Sequence, residues 1–221
     1  MRANRINLRS VAVAAGLAAV LASGSAYAAD AVYNEPPAPT PPVEISPVST
    51  WAGPYVGLST GYGFGGVVNG AAGGAINPNG WMFSGFGGYN WQSGSFVYGL
   101  EGDVGYNGIN GGNATTYFRN GMEGSLRARF GVAASDNVLL YATAGAAVGQ
   151  QQIFDAAGSA SGGAWGWTAG AGADIKMTEK VFTRLEYRYT DLGNVTLNTG
   201  SGAQTINSNN HRIMVGIGVK F

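Results

Sequence analysis

The chain has 221 residues, no cysteine and a formal net charge of zero. Only 11% of its residues are charged, less than half the share usual in soluble domains, so a basic nucleic-acid-binding surface is not expected. The missing cysteines exclude a disulfide scaffold, thiol catalysis and cysteine-based metal sites. Glycine is abundant at 38 residues but keeps no three-residue period, which excludes collagen. An aromatic share of 11% is too high for a disordered chain.

At the N-terminus Arg2, Arg5 and Arg9 precede the short apolar run Val11–Leu21 and the small-x-small site Ala26-Tyr27-Ala28. This order predicts a secretory signal peptide over residues 1–28. The run is too short for the roughly 20 apolar residues of a membrane-spanning helix. Removing its three arginines from the 12 basic residues leaves 9 against 12 acidic ones, a net charge of −3. Residues 29–50 follow, with Pro36, Pro37, Pro39, Pro41, Pro42 and Pro47. Proline at this density favours extended polyproline geometry and cannot enter a sheet interior, so the segment is expected to be a periplasmic linker. The residues alone leave open whether it is a spacer or a disordered tail.

From Trp51 onward the apolar pattern has a period of two, the mark of strands with unlike faces. Eight strands are predicted, near residues 54–65, 80–92, 95–106, 122–134, 138–149, 164–176, 180–191 and 210–221. Tyr98, Leu100, Val104 and Tyr106 alternate with Glu101 and Asp103. Leu126, Ala128, Phe130 and Val132 alternate with Arg127 and Arg129. Trp165, Trp167 and Ile175 alternate with Gly166, Gly172 and Asp174, and Leu185, Tyr187 and Tyr189 with Arg184, Glu186 and Arg188. Ile213, Val215, Ile217, Val219 and Phe221 alternate with Arg212, Met214, Gly216, Gly218 and Lys220. The fifth strand is apolar on both faces and its phase stays open.

Each segment is long enough for the ~9–11 tilted residues with which a β-strand crosses a bilayer. Long connections (66–79, 107–121, 150–163 and 192–209) alternate with tight ones at 93–94, 135–137 and 177–179. This asymmetry predicts an all-β fold: an eight-stranded antiparallel up-and-down transmembrane β-barrel over residues 51–221, with both mature ends on the periplasmic side. Glu101, Asp103, Glu123, Arg127, Arg129, Arg184, Glu186 and Arg188 then fall on the interior face, with Asp174 and Arg212 at the margin of the set. In lipid these charges would be costly, whereas in a narrow lumen they can pair. The expectation is a salt-bridged plug, with inner-face glycines giving the long side chains room. Trp51, Trp81, Trp91, Trp165, Trp167, Tyr187 and Tyr189, together with Tyr55, Tyr62 and Tyr89, are predicted to form the interface girdles.

Several ordered blocks resemble one known group. They are Trp51-Ala-Gly-Pro-Tyr-Val-Gly-Leu58, Gly88-Tyr-Asn-Trp-Gln92, Tyr98-Gly-Leu-Glu-Gly-Asp103, Gly124-Ser-Leu-Arg-Ala-Arg-Phe-Gly131, Gly166-Trp-Thr-Ala-Gly-Ala-Gly172 and Arg184-Leu-Glu-Tyr-Arg-Tyr-Thr-Asp-Leu-Gly193. Over about residues 51–221 the chain looks like the small porin-family outer-membrane barrels of alphaproteobacteria. That resemblance implies an architecture related to the OmpA-type eight-stranded membrane domain and a place among abundant surface proteins of the envelope. Pro54 departs from the bulky residue many members carry, which puts the start of the first strand in doubt. Ile213, Val215, Ile217, Val219 and Phe221 resemble the C-terminal signal read by the outer-membrane assembly machinery.

Other motifs carry little. Gly61-Tyr-Gly-Phe-Gly-Gly66 matches a dinucleotide fingerprint but is followed by more glycine instead of a helix signal. His211 is the single histidine. A hydrolase using it would need Ser208 and an acid such as Glu186 or Asp191, yet no nucleophile motif surrounds it. No cofactor or metal is expected. The expected partners are outer-membrane lipid and lipopolysaccharide and the assembly machinery, with a monomer favoured. A structural surface barrel stands as the first reading, with a small-solute porin and an envelope-lipid hydrolase as alternatives.

Overall fold

In the computed structural model, residues 50–69, 74–200 and 202–221 are described. The expected signal peptide, and the expected linker apart from Thr50, lie outside them. The period-two segments form strands: β1 Gly53–Asn69, β2 Gly80–Ser93, β3 Phe96–Asn107, a short β4 Asn110–Gly112, β5 Thr116–Ser135, β6 Val138–Asp155, β7 Gly158–Lys176, β8 Val181–Thr199 and β9 Gly202–Lys220. Each long strand pairs antiparallel with its chain neighbour, β9 pairs with β1, and β3 pairs with β5. Eight strands therefore close into a ring, with β4 appended to the edge of β5. Closure satisfies the ladder all round and leaves no edge in the ring.

β1 begins at Gly53, and Pro54 is tolerated there because its carbonyl still accepts from the Phe221 amide at 3.0 Å. Tight turns connect the strands at one end of the ring. Gly94 has a φ of +60° in the turn between β2 and β3, a conformation that suits glycine.

Four connections are shorter than expected, because the strands continue into them. β6 and β7 run to a two-residue turn at 156–157, and β8 continues to Thr199 and β9 begins at Gly202. The strands reach 20 residues in β5 and 19 in β7, β8 and β9, about twice what a membrane needs. The reason is a second core above the ring. Val68, Ile76, Phe118, Ile153, Leu197 and Ile206 pack together there, with Ala160 and Val195 against them. β7 and β8 pair only as far as Trp167–Asp191. Beyond that point the hairpins meet through these side chains.

Alternation sorts the faces as expected. Leu58, Phe83, Leu100, Leu126, Phe130, Leu185 and Ile217 are all more than half exposed on the outer wall. The open phase of β6 resolves with Leu139, Tyr141, Thr143 and Ala147 inward and Leu140 and Val148 outward.

The upper core generates a prediction. Ile206→Ala removes a fully buried side chain from it and should cost about 2–5 kcal/mol locally. Limited proteolysis of the folded protein should cut faster within 192–209, while the heat-modifiable gel mobility of the ring stays as in the unaltered chain.

Candidate functional site

The lumen is filled in layers. Nearest the tight turns lie Trp51, Tyr55, Phe86, Val97, Leu139 and Phe182, all buried. Inward-facing glycines make room for these rings. A Cβ on Gly88 or Gly172 would lie 2.6 Å from the hydroxyl of Tyr55 or Tyr141, and one on Gly57 or Gly218 would collide with Phe86 or Phe182. The glycines therefore accommodate aromatic rings, where the sequence suggested charged side chains.

Trp51 differs from its expected place. An interface girdle is expected for it, but it lies inside the barrel mouth, only 3% exposed. Its amide donates to the Gln92 Oε1 at 2.6 Å, and the Lys176 ammonium sits 4.5 Å from its ring centroid. Tyr55 is likewise internal. Both precede or open β1, where too few alternating apolar residues come before them to set a phase. Trp81, Trp91, Trp165, Trp167 and Tyr187 do face outward, as do Tyr62 and Tyr89. Tyr189 shares that face, with its ring 5.3 Å from that of Trp167.

Directly above the aromatic layer lies the charged one. β3 supplies Glu101 and Asp103, β5 Glu123, Arg127 and Arg129, β7 Asp174, β8 Arg184, Glu186 and Arg188, and β9 Arg212. Alternation on five strands turns all ten side chains inward, where each is at most 8% exposed. Glu101 is the hub. It pairs with Arg127, with Arg129 at 3.3 Å and with Arg184 at 2.7 Å, and it accepts the Tyr55 hydroxyl at 2.8 Å. Glu186 pairs with Arg127 at 2.6 Å and Arg188 at 2.8 Å and accepts the Tyr141 hydroxyl at 2.8 Å. Asp174 takes Arg129 and the Arg184 Nε, the latter at 2.9 Å. Asp103 holds Arg127 at 3.1 Å and Arg188 at 3.2 Å. Glu123 pairs with Arg212 and accepts from the Asn107 amide at 2.7 Å.

Five arginines thus meet five carboxylates, and the lumen charge is zero. The two layers are joined. Arg129 lies 3.6 Å from the Tyr141 ring centroid and Arg184 lies 4.1 Å from that of Phe86, so desolvated guanidinium groups rest on aromatic faces. Where Asp103, Glu123, Arg188 and Arg212 adjoin Met82 and Met214, the free space is about 10 Å³, at the threshold for one water molecule. Seven of the eight expected interior residues are therefore joined with Asp174 in one network, and the eighth, Glu123, forms a separate pair with Arg212 beside it. Tyr55 and Tyr141 were missed: the phase of β1 and β6 could not be read where both faces are apolar or glycine-rich.

Ile213, Val215, Ile217, Val219 and Phe221 lie on the outer wall of β9, and Phe221 is 73% exposed. β9 closes the ring against β1. His211 faces outward beside Tyr189, and its Nδ1 is 2.7 Å from the Tyr187 hydroxyl. Ser208 is buried on the opposite face, bonded to Gln151 at 2.5 Å, and Glu186 is in the charge network. The three do not come together as a catalytic set. Gly61–Gly66 lies within β1, and no helix follows it among the described residues.

A closed eight-stranded ring with an apolar outer wall, aromatic rims and a polar interior defines a transmembrane β-barrel of the outer-membrane type. The chain belongs to the outer membrane protein beta-barrel domain family, whose model matches residues 15–221. It is 40% identical over 199 residues to the 25 kDa outer-membrane immunogenic protein of Brucella abortus, covering 90% of this chain and 92% of that one. It is 36% identical over 177 residues to the 22 kDa outer membrane protein of Rhizobium leguminosarum, covering 80% and 81%. Among solved structures, the Neisserial surface protein A matches with a TM-score of 0.51 at 16% identity, over 77% of this chain and 98% of that one. Pseudomonas aeruginosa OprG matches with a TM-score of 0.51 at 13% identity, over 77% and 96%. These structural likenesses concern the fold alone. The protein is an outer-membrane β-barrel protein and resides in that membrane.

The network generates a prediction from two arginines on one strand. Arg127→Ala should lower stability by about 3–5 kcal/mol, because it leaves Glu101, Asp103 and Glu186 short of charge in a dry lumen. Arg119→Ala, on the exposed face of β5, should leave the unfolding midpoint where it is in the unaltered chain. Urea unfolding of the refolded proteins in detergent, followed by tryptophan fluorescence, measures both.

Proposed function

We propose that the protein is a non-conducting structural and surface barrel of the outer membrane, with its tight turns and chain ends in the periplasm and its long hairpins projecting outward. One observation carries this reading: each of the ten ionised side chains in the lumen is paired with an opposite charge. Conduction needs a water-filled path lined by groups that a passing ion can visit. Here the groups bond one another, and an aromatic layer closes the mouth beneath them. The network serves to hold the strands together.

An enzymatic role is not part of this reading, since His211 is turned away from Ser208 and Glu186. The projecting hairpins are the surface offered to the exterior, in keeping with the name of the Brucella relatives as outer-membrane immunogenic proteins. The closed ring favours a monomer. The outward row Ile213–Phe221 on the closing strand suits recognition by the outer-membrane assembly machinery.

Planar-bilayer recording of the refolded mature chain tests the proposal. The unaltered protein should show no steady single-channel current. Arg127→Ala and Arg184→Ala, which unplug the hub, should raise the frequency of openings. Reproducible open channels in the unaltered protein would replace this reading with a small-solute porin.

A further inference from the structure

One basic side chain stands apart from the rest. Downstream of the expected cleavage site the nine cations divide into three groups. Arg127, Arg129, Arg184, Arg188 and Arg212 are in the lumen, each paired with a carboxylate. Lys176, Lys180 and Lys220 are at the tight-turn end. Arg119 alone is on the outer wall toward the hairpins, and among the described residues it is the one arginine that no carboxylate pairs.

Its surroundings form a site. The Arg119 Nη2 donates to the Tyr106 hydroxyl at 2.6 Å. Tyr106 is flanked in the ladder by Phe83 and Met122, which are 61% and 55% exposed and belong to the apolar wall. Toward the hairpin tips the rings of Tyr117 and Phe154 stand 6.2 Å apart. Tyr106, Gly108, Asn110, Tyr117, Arg119 and Phe154 line a groove of about 530 Å³. One hydrogen bond fixes the guanidinium and leaves most of its five N–H donors unspent. The groove lies on the hairpin side of Phe83 and Met122, and one wall of it is aromatic.

We propose that this groove binds the phosphate of a phosphorylated glycolipid head group in the outer leaflet. An arginine presents a planar fork that matches phosphate oxygens two at a time, which a point charge does not. The phosphate supplies the missing counter-charge, Tyr106 holds the guanidinium in place, and the Tyr117 and Phe154 rings face the sugar. Apolar Phe83 and Met122 below meet the acyl chains. The assignment of this end to the outer leaflet rests on the sidedness proposed above.

The test uses the refolded mature chain in detergent micelles with bisphosphorylated lipid A as the probe, bound lipid being counted per barrel from its hydroxy fatty acids after gel filtration. Arg119→Gln should weaken binding roughly ten-fold, the loss of one charge-assisted contact. Arg119→Lys should fall between the two. Dephosphorylated lipid A should bind the unaltered chain and Arg119→Gln equally weakly, and inorganic phosphate should compete only at far higher concentration. Equal retention of bisphosphorylated lipid A by Arg119→Gln, with normal heat-modifiability, would overturn the site. Competition by inorganic phosphate at the concentration of the lipid itself would overturn the lipid as occupant. Sidedness is read separately by maleimide labelling of Ala157→Cys on intact cells. Labelling only after permeabilisation would contradict the orientation and leave the binding result standing.

Discussion

A backbone amide in hydrocarbon has no water to bond, so a strand can cross a membrane only if every neighbour position is filled. With eight strands, closure leaves a lumen just wide enough for side chains. The rest of the structure follows from filling that lumen. Five strands bring ten ionised groups into it, and none has bulk water to fall back on. Burying charges is costly unless they are paired and hydrogen-bonded. Glu101 answers three guanidinium groups and one hydroxyl, and Glu186 answers two guanidinium groups at close range and one hydroxyl. The pairs link β3, β5, β7, β8 and β9 across the lumen, so the same contacts that neutralise the charge also brace the ring.

The aromatic layer belongs to this arrangement. Tyr55 and Tyr141 reach from it to the two hub carboxylates, and Phe86 and Tyr141 offer their faces to Arg184 and Arg129. Glycines at 57, 88, 172 and 218 stand where the rings need the space. The abundance of glycine in the chain is thus partly a packing requirement: in a narrow barrel, each large inward ring needs a neighbour with no side chain.

Much of this was legible beforehand. The charged face could be read because Arg127/Arg129 and Arg184/Glu186/Arg188 alternate with bulky apolar residues, a pattern that only a two-faced strand explains. Legibility failed where both faces look alike. In β6, Leu139, Leu140, Tyr141 and Ala142 give no contrast, so Tyr141 and its role stayed hidden. Around Trp51 and Tyr55, an interior position and an interface position call for the same residue types. The four connections looked like loops because Gly, Asn and Ser are common in them, although Ile153, Leu197 and Ile206 keep the period of two and build a core beyond the membrane. Arg119 was invisible for another reason. Its distinction is that it lacks the carboxylate partner that every other arginine among the described residues has, and pairing is a property of the assembled ring.

The central claim is that the lumen is closed by mutual pairing of charges, with Glu101 at its hub. A double-mutant cycle on Glu101→Gln and Arg184→Gln, read from urea unfolding of the refolded barrel, tests it most directly. The account predicts that the two losses are strongly non-additive, with a coupling of about 1.5 kcal/mol or more, since each variant alone strands a buried charge. Additive losses would mean that the two groups are separately solvated in a wet lumen, and would contradict it.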